Sequence, residues 1–96
     1  MASYTIRVEL NSPTPDAQSE LLYIMLEHGF SRCVVCEKGK TFVLPSNEFV
    51  YVGYENLRTL TDRVATLIDS FSPNPLVLVT QSAERCWSGL NGVKLA

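Results

Sequence analysis

Arg7, Arg32 and Arg85 are the side chains of this sequence best suited to binding phosphate. A guanidinium presents a planar fork of donors that matches phosphate oxygens two at a time. Metal-independent cleavage of RNA needs two further groups, a base for the 2′-hydroxyl and an acid for the leaving oxygen, with cations to hold the phosphorane charge. His28, the only histidine, and Glu48 are the candidates for that catalytic pair. His28 also falls at the end of a helical stretch, where an imidazolium suits the negative end of the dipole, so a structural histidine is the competing reading. Arg7 has a competing reading too, as an ion-pair partner of Glu9, Glu48 or Glu84. Glu9 is a lone hard oxygen ligand, and Mg²⁺ would need waters and a second carboxylate to complete its octahedron. No metal site and no cofactor are therefore assigned. Cys33, Cys36 and Cys86 are an odd number of thiols. If Cys33 to Cys36 is strand, residues three apart face opposite ways, so the pair is poorly placed to share a metal, and reduced, buried thiols are expected.

The elements that must position these residues follow from periodicity. Tyr4-Thr-Ile-Arg-Val-Glu-Leu10 alternates apolar and polar, the pattern of a strand with Tyr4, Ile6, Val8 and Leu10 inward and Arg7 on the opposite face. Thr14, Pro15 and Asp16 start a helix that runs to about His28, with Ala17, Leu21, Ile24, Met25 and His28 on one stripe and Gly29 as terminator. Phe30 to Glu37 and Thr41 to Leu44 read as a hairpin turning at Gly39. Pro45 interrupts the third strand, which resumes from Phe49 to Tyr54 as a bulged or divided strand. A second helix begins near Asn56 with Leu57, Leu60, Val64, Leu67 and Phe71 as its core stripe, and Leu76 to Thr80 is a last strand. The order β-α-β-β-α-β predicts an α+β class fold: one ferredoxin-like split βαβ domain over residues 1–96, with a four-stranded antiparallel sheet and both helices on one face.

Eight basic against ten acidic residues give a net charge of −2, which excludes a strongly basic nucleic-acid or anionic-membrane binder and leaves room only for a local site. No apolar run approaches a membrane span, and Arg7 and Glu9 interrupt the N-terminus where a signal peptide would be unbroken, so a cytoplasmic chain with no membrane partner is expected. Leu76 to Val79 and Phe49 to Val52 do not alternate, which predicts cover on the helix-free face. The tail, residues 83–96 with Trp87, Leu90, Val93 and Leu95, either folds back on the sheet or joins a homodimer partner; the homodimer is the favoured reading.

The fold alone does not fix the function. A metallochaperone is excluded because its paired cysteines belong in the loop after the first strand, here Asn11 to Asp16. That loop also lacks the basic residue of an acylphosphatase anion cradle. Lys38-Gly-Lys-Thr-Phe-Val43 only echoes an RNA-recognition strand, with Lys40 in an aromatic position and no matching ring on the first strand.

Tyr4-Thr-Ile-Arg-Val-Glu-Leu10, Gly29-Phe-Ser-Arg32, Leu44-Pro-Ser-Asn-Glu-Phe49 and Val77-Leu-Val-Thr-Gln-Ser82, followed by Arg85, Trp87 and Gly89-Leu90, together resemble the GhoS-type antitoxins and their prophage relatives. The resemblance spans nearly the whole chain. It implies a ferredoxin-like fold related to the CRISPR adaptation nucleases, and an endoribonuclease that cleaves the transcript of a partner membrane toxin in a type V toxin-antitoxin pair. It also implies Arg32 as the first RNA contact, then Arg7 and Arg85. Where members of the group carry His or Asp after the first strand, this chain has Asn11 and Ser12.

Two functional expectations result. The first is an RNA-binding protein, as an endoribonuclease antitoxin, using Arg7, Arg32 and Arg85 with His28 and Glu48. The alternative is a non-enzymatic phage or prophage interaction module that inhibits a host protein through its acidic first helix, where Asp16, Glu20 and Glu27 occur without a basic residue. A thiol or metal sensor through the three cysteines is the remainder.

Overall fold

The computed structural model describes residues 1–93; Leu95, one of the tail's expected apolar anchors, lies outside them. Strand β1 (Ala2–Glu9) is central in an antiparallel three-stranded sheet of order β4-β1-β5, with β4 spanning Glu48–Gly53 and β5 Leu76–Gln81. Its alternation works as read: Tyr4, Ile6 and Val8 are buried while Arg7 and Glu9 point outward. Helix α1 (Pro15–Glu27) is capped by Thr14, whose Oγ1 accepts from the Ala17 N–H at 3.1 Å, and Gly29 leaves it at φ +88°. Helix α2 (Leu57–Asp69) is capped by the Asn56 side chain, which accepts from the Thr59 N–H at 2.8 Å.

Both helices pack on one face of the sheet. Leu21 and Met25 from α1 and Leu60, Val64 and Ile68 from α2 join Tyr4, Ile6, Val8, Phe49 and Val79 in a single core cluster. Two stripe members are corrected. Ile68 continues the row of Leu60 and Val64 at four-residue spacing, while Leu57, in the first turn, is exposed. His28 is also exposed, because α1 ends at Glu27 and His28 is its C-cap rather than part of a buried stripe.

The expected four-stranded sheet is instead three strands plus a two-stranded hairpin, β2 (Cys33–Val35) with β3 (Thr41–Val43), turning through Gly39 at φ +80°. Among the described residues the hairpin joins the larger sheet through one bridge, Ser31 with Val50, whose two backbone bonds measure 2.9 and 2.8 Å. The reason lies at Pro45. Leu44 still donates to the Arg32 carbonyl, but the chain leaves this ladder at Pro45, whose backbone faces away from β2 as that of Val43 does, and does not rejoin until Val50 meets Ser31. The third strand is therefore divided between the two sheets.

The tail folds back on the same chain. Val43 donates to Asn91 and Val93 donates to Thr41, both at 2.9 Å, and the Trp87 ring tilts against Phe42 at 5.7 Å between centroids. Among the described residues the tail covers the hairpin end of the helix-free face. Leu76 and Leu78 remain 61% and 63% exposed, and Val52 is exposed as well.

At the start of α2 a polar network locks the second βα junction. The Glu55 carboxylate accepts from Tyr51 Oη at 2.9 Å and from Arg63 Nη2 at 2.8 Å, and its backbone carbonyl accepts from Tyr4 Oη. The Arg63 guanidinium lies over the rings of Phe30 and Tyr51 at 5.2 and 5.4 Å. The Arg63 hydrogen bond holds the Glu55 carboxyl below its ordinary value of 4.5; burial opposes it as the next largest effect, and the Tyr51 hydrogen bond adds to the lowering. The unfolded chain then binds a proton at a pH where the folded chain does not. The stabilisation is complete above the ordinary carboxylate value and is lost as pH falls through the lowered folded value. Urea unfolding followed from neutral pH downward should show stability falling in that acid window, with a shallower slope in Arg63→Met; equal slopes would show that the pair contributes nothing.

Candidate nucleic-acid interface

Because β1 alternates, Ser3, Thr5, Arg7 and Glu9 line the helix-free face. The registers place Glu48, Val50 and Val52 beside them on β4, and Leu76, Leu78 and Thr80 on β5. Arg85, beyond β5, reaches back across this face, and its Nε donates to Thr5 Oγ1 at 2.7 Å. Arg7 stands two residues further along the same side of β1. Arg7 and Arg85 thus share one face. Among the described residues the ion pairs are Arg58 with Asp62 and Arg63 with Glu55, so neither arginine has a carboxylate partner, and the competing pairing of Arg7 with Glu9, Glu48 or Glu84 does not form.

Arg32 is elsewhere and otherwise occupied. Its Nη1 donates to the carbonyls of Pro45 at 2.6 Å and Glu48 at 2.7 Å, its Nη2 to that of Leu44 at 3.0 Å, and the guanidinium lies 5.6 Å from the Phe49 ring centroid. All three carbonyls lie at the break around Pro45, and that of Pro45 also accepts from the Glu48 N–H at 3.1 Å. The expectation that Arg32 leads the phosphate contacts is corrected on this ground: its donors close the bulge.

His28 and Glu48 do not meet. Glu48 is opposite Arg7 on the helix-free side, whereas His28 follows α1 on the helix side, beside Gly29 and the Tyr51 end of β4. Proton transfer to and from one substrate needs both groups within hydrogen-bond reach of it. The sheet stands between them, so the expected acid-base pair is corrected.

A cleft of about 690 Å³ opens between the tail, the hairpin and the sheet, lined by Arg85, Trp87, Lys38, Ser3, Val50 and Val52 among others. Burial lowers the Arg85 pKa from the ordinary arginine value, and its Nη2 is buried with no hydrogen-bond partner among the described residues. An unpaired buried donor costs about 1–3 kcal/mol, so an acceptor reaching it is favoured. Cys33, Cys36 and Cys86 all line the same cleft as free thiols. Cys36 lies just past the end of β2, so the strand on which the opposite-face argument depends does not reach it. Among the described residues no three His, Cys, Asp or Glu side chains cluster to hold a metal ion.

No protein-family model matches the chain, and no curated protein matches it. The site therefore has to be read from its own chemistry. Lys38 and Trp87 were missed as site residues because their nearness to Arg85 depends on how the tail folds back. No helix of the described residues is long and apolar enough to cross a membrane.

Proposed function

We propose that the protein is a small cytoplasmic RNA-binding protein related to the GhoS-type antitoxins, with the transcript of a partner toxin as its target class. Its scaffold is a ferredoxin-like split βαβ in which residues 31–35 occupy the fourth-strand position beyond β4. The observation that carries this reading is the cleft on the helix-free face, which collects Arg85, Lys38 and Trp87, with Arg85 bonded to Thr5, two residues from Arg7 on the same side of β1. Guanidinium and ammonium groups with Ser3 and Thr5 suit a phosphate backbone, and an indole beside apolar Val50 and Val52 suits an unstacked base. Single-stranded RNA fits these groups better than duplex. The reading is of binding; cleavage is not part of it, since His28 and Glu48 sit on opposite faces.

Trp87 is the only tryptophan, so its fluorescence reports this cleft alone. Titration with single-stranded oligoribonucleotides should quench it saturably. Binding by Arg7, Lys38 and Arg85 gives a log-log salt slope of about −2, at roughly −0.7 per contact on a single strand. Lys38→Glu, at an exposed position, should weaken binding about tenfold, a change of ~1.4 kcal/mol. No quenching at low salt overturns the reading.

One observation favours the protein-interaction alternative. Leu22, Tyr23 and Leu26 are exposed on α1, on the side away from Leu21 and Met25, and Asp16, Glu20 and Glu27 lie along one flank of that stripe. Such a helix suits an apolar groove with a basic rim. It becomes the leading reading if RNA does not bind.

A further inference from the structure

Strand β5 is an open edge, and nothing in its sequence protects it. Among the described residues it pairs with β1 alone. Open edges ordinarily carry a lysine, a proline or a bulge against pairing with other chains, whereas Leu76-Val77-Leu78-Val79-Thr80-Gln81 has neither a charge nor a proline. Two hydrogen bonds settle where its backbone groups point. Ser82 donates to the Ser3 carbonyl at 2.8 Å, while Val8, opposite Val77, gives its N–H to Asn47 at 3.0 Å, away from β5. In an antiparallel ladder each residue turns both backbone groups to the same neighbour, alternating along the strand. Leu76, Leu78 and Thr80 therefore bond to β1, and Val77, Val79 and Gln81 turn their N–H and C=O groups outward.

We propose that a second copy of this chain adds here, β5 against β5, antiparallel about a two-fold axis at Val77. In this register Val77 pairs with its own copy through two mutual hydrogen bonds. The Val79 N–H meets the carbonyl of Pro75 in the second copy, which asks nothing of that proline's missing donor. Leu76 falls opposite the second copy's Leu78, so the two exposed leucines of each chain cover one another. The row extends inward: Glu9 is opposite Leu76 and Arg7 is opposite Leu78. Each cross-strand row thus reads Glu9, Leu76, then Leu78 and Arg7 of the second copy, a leucine pair bracketed by opposite charges, and the two-fold makes the row twice. A hollow of about 540 Å³ lies at this place, lined by Arg7, Glu9, Pro75, Leu76, Val77 and Leu78, and it receives the facing leucine. The product is a continuous six-stranded sheet. The inference does not depend on RNA binding.

Sedimentation equilibrium at tens of micromolar should give twice the 10.7 kDa chain mass for the wild type. Leu78→Lys and Leu76→Glu, each at an exposed position, should separately give the single-chain mass with unchanged circular dichroism. An equimolar mixture of the two variants should recover the dimer. In the mixed pair the introduced lysine faces the introduced glutamate in one row, and leucine faces leucine in the other. A monomeric wild type, a single variant that stays dimeric, or a mixture that stays monomeric each overturns the proposal, the last because only the Val77-centred register sets positions 76 and 78 opposite one another.

Discussion

Arg32→Ala should destabilise the protein by about 3 kcal/mol, the largest loss expected from any single charged side chain. A hydrogen bond from a charged donor is worth roughly 1.5–3 kcal/mol, and Arg32 makes three, at 2.6, 2.7 and 3.0 Å. Two are half-buried and one is exposed, so solvent offsets part of the sum. In a chain of this size a loss of that magnitude lowers Tm by roughly 15 °C, at about 4–8 °C per kcal/mol. Arg32→Lys should recover little, because an ammonium on a flexible stem cannot place donors at three carbonyls spread from Leu44 to Glu48. Thermal unfolding by circular dichroism decides it. A melting point within about 3 °C of wild type for either variant would show that the bulge holds itself, at the exchange rate used above. The same variants separate structure from binding: folded Arg32→Lys at low temperature should still quench Trp87 with RNA as the wild type does, and a selective loss of quenching would restore Arg32 to the interface.

The fate of Arg32 marks where sequence reading stops. What depended on local chemistry was legible: the alternation of Tyr4 to Leu10 put Arg7 on the helix-free face, and Thr14, Gly29, Gly39 and Asn56 marked caps and turns that the backbone adopts. What depended on contacts across the chain was not. The partners of Arg32 are carbonyls at the break around Pro45, twelve to sixteen residues away, and a regular ladder would have hidden them. The Cys33 and Cys36 argument assumed a strand through both, but β2 ends at Val35. Within the candidate site, Arg7 and Arg85 were legible as a shared face, while Lys38 and Trp87 needed the tail to bridge Phe42 with Gly92. The network of Glu55, Tyr51 and Arg63 was missed altogether. Its members look like ordinary surface residues until α2 and β4 are brought together.

That network carries the second large effect, at a glycine whose conformation is unremarkable. A methyl group on Gly53 would sit 2.6 Å from Tyr51 Cε2, 2.9 Å from Tyr51 Cζ and 2.8 Å from Glu55 Oε1, all closer than real contacts allow. The Tyr51 ring does not yield cheaply. It is packed against Phe30 at 4.7 Å between centroids, its hydroxyl is tied to Glu55, and Glu55 is tied to Arg63. Gly53→Ala should therefore cost about 2–3 kcal/mol, most of it overpacking, with the Tyr51 hydrogen bond lost as the ring moves. The gain of roughly 0.4–1 kcal/mol from a stiffer unfolded chain offsets only part of this. The mechanism is separable from a backbone effect by a double-mutant cycle. In a Tyr51→Ala background the ring is gone, and Gly53→Ala should then cost less than about 1 kcal/mol, because only the end of the Glu55 side chain still has to give way. If urea unfolding shows the same cost in both backgrounds, the ring is not the obstacle and the close packing at this junction does not hold the second βα turn.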